Sequence, residues 1–192
     1  MRSTTVLGLG FSVLLPVTTA LQVRRENRAS EADRRQEPVS GFQLLASGAA
    51  PHSASQCLAA AANADGARVA LATCVELEIT FPTGNFTWVV PPAGTAGQIK
   101  TFDGTKCLDV SNGDSSNGNV LQIWTCTDGN TNQLWKLEGP EDSAFRPISW
   151  ASQDKCIDVK GGSFTSGNEL QIWDCDSTNQ NQWWWVTHTI SQ

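Results

Sequence analysis

Apolar and polar residues alternate along much of this chain in short runs, separated by clusters of Gly, Asn, Asp and Ser. Successive side chains of a β-strand point to opposite faces. Leu108 and Val110 are therefore expected on a core-facing side, with Asp109 on the other; Leu121 and Ile123 face in, Gln122 and Trp124 out. The same pattern returns downstream, where Ile157, Val159, Leu170 and Ile172 face in and Asp158, Gln171 and Trp173 face out. Helical periodicity is confined to the Ala-rich stretch near Leu58 to Ala62. Asn112-Gly113-Asp114, Asn117-Gly118-Asn119, Asp128-Gly129-Asn130 and Lys160-Gly161-Gly162 mark turns. This spacing predicts an all-β domain of short strands.

The pattern is also a repeat. Lys106-Cys107-Leu108-Asp109-Val110, Leu121-Gln122-Ile123-Trp124-Thr125-Cys126 and Asn132-Gln133-Leu134-Trp135 recur at identical internal spacing as Lys155-Cys156-Ile157-Asp158-Val159, Leu170-Gln171-Ile172-Trp173-Asp174-Cys175 and Asn181-Gln182-Trp183-Trp184. An eroded copy precedes them: Cys57-Leu58-Ala59-Ala60-Ala61, then Val69-Ala70-Leu71-Ala72-Thr73-Cys74, then Asn85-Phe86-Thr87-Trp88 after an insertion around Phe81 to Gly84. Each copy opens with a comparable strand before its first cysteine, at Phe42 to Leu45, Gln98 to Phe102 and Arg146 to Trp150. No unit of about four strands buries its apolar face alone, so the three copies, about 41–94, 95–142 and 143–192, must share one core. A closed pseudo-threefold β-structure does this while leaving few strand edges exposed.

The chain start changes the picture of where the protein works. Arg2, the apolar run Val6 to Val17 and the small residues Thr18 and Ala20 read as a signal peptide over residues 1–20, and the run is too short and too broken by Pro16 to span a bilayer. Residues 21–39 are polar and charged, with Arg24-Arg25 and Arg34-Arg35, and read either as a disordered leader or as a pro-segment cut after Arg25 or Arg35. The folded domain then covers residues 40–192. Beyond residue 35, 7 basic and 16 acidic residues remain, a net charge of −9 that disfavours nucleic acid as a partner. Six cysteines fall two per repeat, and in a secreted chain they read as disulfides. Pairing within each repeat, Cys57 to Cys74, Cys107 to Cys126 and Cys156 to Cys175, is the simplest connectivity. No Cys-x-x-Cys pair occurs and the only histidines are His52 and His188, so no metal or other cofactor is expected. Asn85-Phe86-Thr87 satisfies the N-glycosylation rule.

A bridge from Cys107 to Cys126 would bring Asp109 and Trp124 together on the face away from the core. A carboxylate, side-chain amides and an indole in one place suit a pyranose, whose C–H face lies on a ring while its hydroxyl edge needs acceptors and donors. Trp124 would supply the ring, Asp109 would accept neighbouring hydroxyls, Asn132 would add a donor and an acceptor, and Gln133 would orient the Asp carboxylate. Gln122 either reaches a hydroxyl or covers the strand pair. Asp158, Trp173, Asn181, Gln182 and Gln171 take the same roles in the third repeat. Trp150, Trp183 and Trp185 are not separable into core and surface by pattern.

Gln133-Leu134-Trp135 and Gln182-Trp183-Trp184, with the paired cysteines in register, resemble the Gln-x-Trp signature of the ricin B-type lectin family over about Ser40 to Gln192. The resemblance implies a β-trefoil of three repeats and binding of galactose, N-acetylgalactosamine or related glycans such as xylan. It also places sugar ligands at Asp109, Gln122, Trp124, Asn132 and Gln133, and at Asp158, Gln171, Trp173, Asn181 and Gln182, and it puts Trp135 and Trp184, the tryptophans of the signature, in the core. The first repeat departs from the pattern, with Ala59, Ala70 and Ala72 in place of Asp, Gln and Trp, so its site is expected to be lost. A secreted lectin with two sites, not inserted in a membrane, is the resulting expectation. The alternative is a protein-binding β-trefoil such as a protease inhibitor. Catalysis is not expected, because a glycosidase needs two carboxyls on one bond and neither repeat offers a second well-placed acid.

Overall fold

The computed structural model describes residues 39–46, 55–74, 86–151 and 153–188. The expectations for the signal peptide, the leader up to residue 38, His52 and the glycosylation motif at Asn85 lie outside these residues. Among the described residues the structure is all-β, with short 3-10 turns and no α-helix. The strands are β1 (Val39–Ala46), β2 (Gln56–Ala60), β3 (Ala67–Thr73), β4 (Trp88–Val90), β5 (Ala96–Gln98), β6 (Lys100–Thr101), β7 (Lys106–Val110), β8 (Leu121–Thr125), β9 (Leu134–Leu137), β10 (Ile148–Trp150), β11 (Lys155–Val159), β12 (Leu170–Asp174) and β13 (Trp184–His188). They form one sheet ordered β13-β1-β2-β3-β8-β7-β6-β4, with β1 also pairing β4, and a second ordered β12-β11-β10-β9-β5.

Three hairpins carry the repeat in a single register. Ala59 faces Ala70 across β2 and β3, Asp109 faces Gln122 across β7 and β8, and Asp158 faces Gln171 across β11 and β12. Two residues away, Cys57 faces Ala72, Cys107 faces Trp124 and Cys156 faces Trp173. The hairpins are joined in a ring by equivalent backbone bonds. Gly66 N–H donates to Ile123 O (2.9 Å), Gly118 N–H to Ile172 O (2.9 Å) and Gly167 N–H to Leu71 O (2.7 Å), so each repeat's loop docks on the next repeat's strand and the third returns to the first. This cyclic closure is the pseudo-threefold β-trefoil.

One core fills the ring. Leu58, Leu71, Leu108, Val110, Leu121, Ile123, Ile157, Val159, Leu170 and Ile172 are all buried, on the face that alternation assigns to them. Three buried indoles anchor it by one recurring bond: Nε1–H of Trp88 donates to Leu58 O (2.9 Å), that of Trp135 to Leu108 O (2.9 Å) and that of Trp184 to Ile157 O (3.2 Å). A buried indole needs such an acceptor, and the carbonyl comes from the strand after each first cysteine. The first repeat keeps this core set even though its polar residues are gone. All three disulfides form within repeats, Cys57–Cys74, Cys107–Cys126 and Cys156–Cys175, with Cα separations of 5.2, 5.0 and 5.0 Å.

Three local expectations are corrected. The Ala-rich stretch is not helical: Leu58, Ala59 and Ala60 lie in strand β2 and pair with β3, and Ala61 and Ala62 form the bend that follows. The expected strand Gln98 to Phe102 is interrupted at Ile99, between β5 and β6, and ends at Thr101, since Phe102 and Asp103 adopt left-handed φ of 49° and 55° to turn the chain into β7. The strand expected over Arg146 to Trp150 is confined to β10; Arg146 contributes an isolated bridge to Trp184 and Pro147 offers no N–H to a ladder. Trp150 is buried and donates Nε1–H to Thr131 O (2.7 Å), Trp183 is half-buried, and Trp185 is exposed edge-on to Phe145.

Candidate functional site

Each complete repeat assembles its polar residues on one face of a disulfide-braced hairpin. In the second repeat β7 supplies Asp109, β8 supplies Gln122 and Trp124, and the 3-10 turn Thr131–Gln133 supplies Asn132 and Gln133. That turn is capped by Asn130, whose side chain accepts from Asn132 N–H (3.0 Å). In the third repeat β11, β12 and the turn Gln180–Gln182, capped by Asn179, supply Asp158, Gln171, Trp173, Asn181 and Gln182.

Trp124 and Trp173 face solvent, at 43% and 42% exposure, as alternation expects of the side away from the core. Asp109 and Asp158 do not follow their neighbours outward. They are only 4% and 3% exposed, which corrects the expectation of solvent-facing carboxylates. Glutamine amides cover them: Gln122 Nε2 donates to Asp109 Oδ1 (2.9 Å) and Gln133 Nε2 to Asp109 Oδ2 (3.2 Å). In the third repeat Gln171 Nε2 donates to Asp158 Oδ1 (2.9 Å), Gln182 Nε2 to Oδ2 (3.3 Å) and Asn179 Nδ2 to Oδ2 (3.3 Å). Burial pushes both carboxyls above the usual aspartate range, and the amide donors partly oppose it.

Gln133 and Gln182 are fully buried and orient the carboxylates from behind, each also accepting a backbone N–H, from Thr127 and Asp176. Gln122 is half-buried and, like the buried Gln171, holds its aspartate from across the hairpin. Asn132 and Asn181 lie against the loop following the aspartate strand. A Cβ at Gly113 (φ +64°) would sit 2.7 Å from Asn132 Oδ1, and one at Gly162 (φ +66°) 3.2 Å from Asn181 Oδ1, so these loops pass the asparagines at distances and with a backbone that glycine meets without strain. Asn179, which reaches Asp158, was not among the candidates. Its position three residues before Gln182, matching Asn130 before Gln133, was the available signal.

The first hairpin has the same register and none of the chemistry. Ala59, Ala70 and Ala72 occupy the places of aspartate, glutamine and indole, so the lobe offers no ring and no acceptor side chain there.

Residues 95–192, just over half of the chain, match the family model of the ricin-type β-trefoil lectin domain. Among solved structures, the chain is similar to a designed threefold-symmetric protein, ThreeFoil, at 22% identity and a TM-score of 0.62, covering 77% of this chain and 98% of that one. It is similar to an exo-β-1,3-galactanase from Clostridium thermocellum at 24% identity and a TM-score of 0.62, covering 79% of this chain but only 30% of the enzyme. It is also similar to the C-terminal half of an earthworm R-type lectin in complex with GalNAc, at 14% identity and a TM-score of 0.55, covering 78% and 99%. At these identities the structural likeness speaks to the fold.

Proposed function

The chain belongs to the ricin-type β-trefoil lectin domain family, a family of carbohydrate-binding modules, and from that premise we propose that it is a secreted lectin for galactose-type or related glycans. It has two sites, one in the second repeat and one in the third. The observation that carries this reading is a contrast within the molecule: exposed indoles beside amide-clamped aspartates stand twice in one register, and alanines fill that register in the first lobe. A buried carboxylate held by two or three side-chain amides presents a fixed acceptor without the entropy cost of ordering it on binding. The GalNAc held by the earthworm lectin supports the sugar class.

Three disulfides support an oxidising, extracellular location. The protein acts by binding rather than catalysis in this reading, since both aspartates are engaged by neutral amides and sit in separate hairpins. A glycan array is the direct test. Binding to galactose-terminated glycans that free galactose competes away supports the lectin, while inhibition of proteases unaffected by galactose supports a protein-binding trefoil instead.

The raised aspartates carry a pH signature. Sugar hydroxyls donate to the ionised carboxylate, so affinity should fall on acidification through the raised values, at a higher pH than an ordinary aspartate near 3.9 would set. Fold stability moves the other way. The folded state binds these two protons more tightly than the unfolded chain does, so the contribution of these groups to stability increases as pH falls through that window. Affinity and melting temperature measured across the same acidic pH series should therefore show Asp109 and Asp158 acting with opposite signs, and Asp109→Asn with Asp158→Asn should flatten the binding profile.

A further inference from the structure

The backbone on both sides of each exposed indole is held by the preceding repeat. On one side of Trp124, Ile123 O accepts Gly66 N–H (2.9 Å); on the other, Thr125 N–H donates to Asp65 Oδ1 (2.7 Å). The Thr125 hydroxyl also donates to Asp65 (2.9 Å to Oδ1), and Lys106 Nζ closes the corner on the same oxygen (2.6 Å). The bonded ammonium holds the Asp65 carboxyl below the usual carboxylate range. Around Trp173 the arrangement recurs: Ile172 O accepts Gly118 N–H (2.9 Å), Asp174 N–H donates to Asn117 Oδ1 (3.0 Å), and Lys155 Nζ donates to Asn117 Oδ1 (2.8 Å) and pairs with Asp174. Cβ atoms placed on Gly66 and Gly118 would each lie 3.8 Å from Cζ3 of Trp124 and Trp173, so these loops flank the rings as well as their backbone.

The two corners use one recipe with its charge on opposite sides. Each has a lysine, one carboxylate and one neutral partner, but the carboxylate belongs to the preceding loop at Asp65 and to the strand itself at Asp174. The third junction has the backbone bond without the recipe. Gly167 N–H reaches Leu71 O (2.7 Å), yet the corner residues are Gln56, Thr73 and Ser166, with neither lysine nor carboxylate, and the residue between Leu71 and Thr73 is Ala72. This junction is tied instead by an ion pair between Arg68 of the first repeat and Glu169 of the third, outside the corner. The lysine-centred corner occurs at the two junctions that flank an indole.

We propose that Asp65 and Asn117 are positioning residues for the indole platforms of the following repeats, so that the first lobe, without a site of its own, is retained as one wall of the second lobe's site. The inference rests on the reading of Trp124 and Trp173 as sugar platforms. Each platform is thus shared between repeats, and the preceding loop sets how the ring is presented.

The test is fluorine NMR of the full chain labelled with fluorotryptophan, with the two signals assigned by Trp124→Phe and Trp173→Phe. Asp65→Ala should shift or broaden the Trp124 signal and leave that of Trp173 in place, Asn117→Ala should do the reverse, and both variants should keep the parent circular dichroism spectrum. Asp65→Asn retains an acceptor for Thr125 N–H, as Asn117 does natively, and should restore the Trp124 signal. Galactose titrated into the same samples should bind the Trp124 site of Asp65→Ala roughly tenfold more weakly, about 1.4 kcal/mol, with the Trp173 site unchanged. An unmoved Trp124 signal in Asp65→Ala, or both signals moving together in either variant, overturns the proposal. If galactose moves neither signal in the parent chain, the sugar reading fails, and the fluorine comparison between variants still decides the positioning role.

Discussion

Replacing Trp124 or Trp173 with alanine is expected to reduce binding to a galactose-bearing surface by roughly 100-fold while the domain stays folded. A shallow monosaccharide site binds near millimolar, about −4 kcal/mol. Useful affinity must then come from simultaneous engagement of two sites, and such avidity exceeds single-site binding by about 100-fold or more where the geometry permits it. Removing either indole deletes one site and with it the whole avidity term. Both rings are more than two-fifths exposed and lie away from the core, so the change in stability should stay within about 1 kcal/mol. Surface plasmon resonance on immobilised galactosylated glycan, with thermal melting of the same samples, checks both halves.

The opposite result is expected two or more turns along the same motif. Trp135→Ala or Trp184→Ala should cost about 3–5 kcal/mol, because each ring is fully buried and its removal leaves a cavity the surrounding strands cannot close. It also strands the carbonyl of Leu108 or Ile157, whose indole donor is lost. Against a total stability of roughly 5–15 kcal/mol, that loss lowers the melting temperature by roughly 6–20 °C in a domain of this size. Chemical denaturation should show it at unchanged ligand stoichiometry in whatever fraction remains folded. Exposed and buried tryptophans of one repeat thus separate cleanly: the first kind changes binding, the second changes folding.

The outward placement of Trp124 and Trp173 was legible in the sequence because a strand has period two, whereas the burial of Trp135 and Trp184 was implied by the likeness of their motif to the Gln-x-Trp signature. Trp124 is an even number of residues from Gln122 and an odd number from Ile123, and parity assigns their faces. The fixed spacing between repeats likewise implied the cysteine pairs and the common hairpin register. Parity does not report depth, however. Asp109 lies on the side of the sheet away from Leu108, yet Gln122 and Gln133 cover it, and that cover depends on where a 3-10 turn brings Gln133 back over the hairpin. The break after Thr101 was hidden for another reason: Phe102 and Asp103 are ordinary strand and turn residues in composition, and their left-handed backbone is imposed by the turn into β7. Asp65 and Asn117 were missed because they act across repeat boundaries, 60 and 57 residues from the backbone N–H groups they accept. Their visible trace is a small polar residue before glycine at one offset in all three copies, Asp65-Gly66, Asn117-Gly118 and Ser166-Gly167.

Isothermal titration calorimetry with galactose counts the binding lobes. About two sugars per chain are expected, about one for Trp124→Ala and for Trp173→Ala, and none for the double variant. A third sugar bound by the parent chain, or binding that survives loss of both indoles, would overturn the two-site reading.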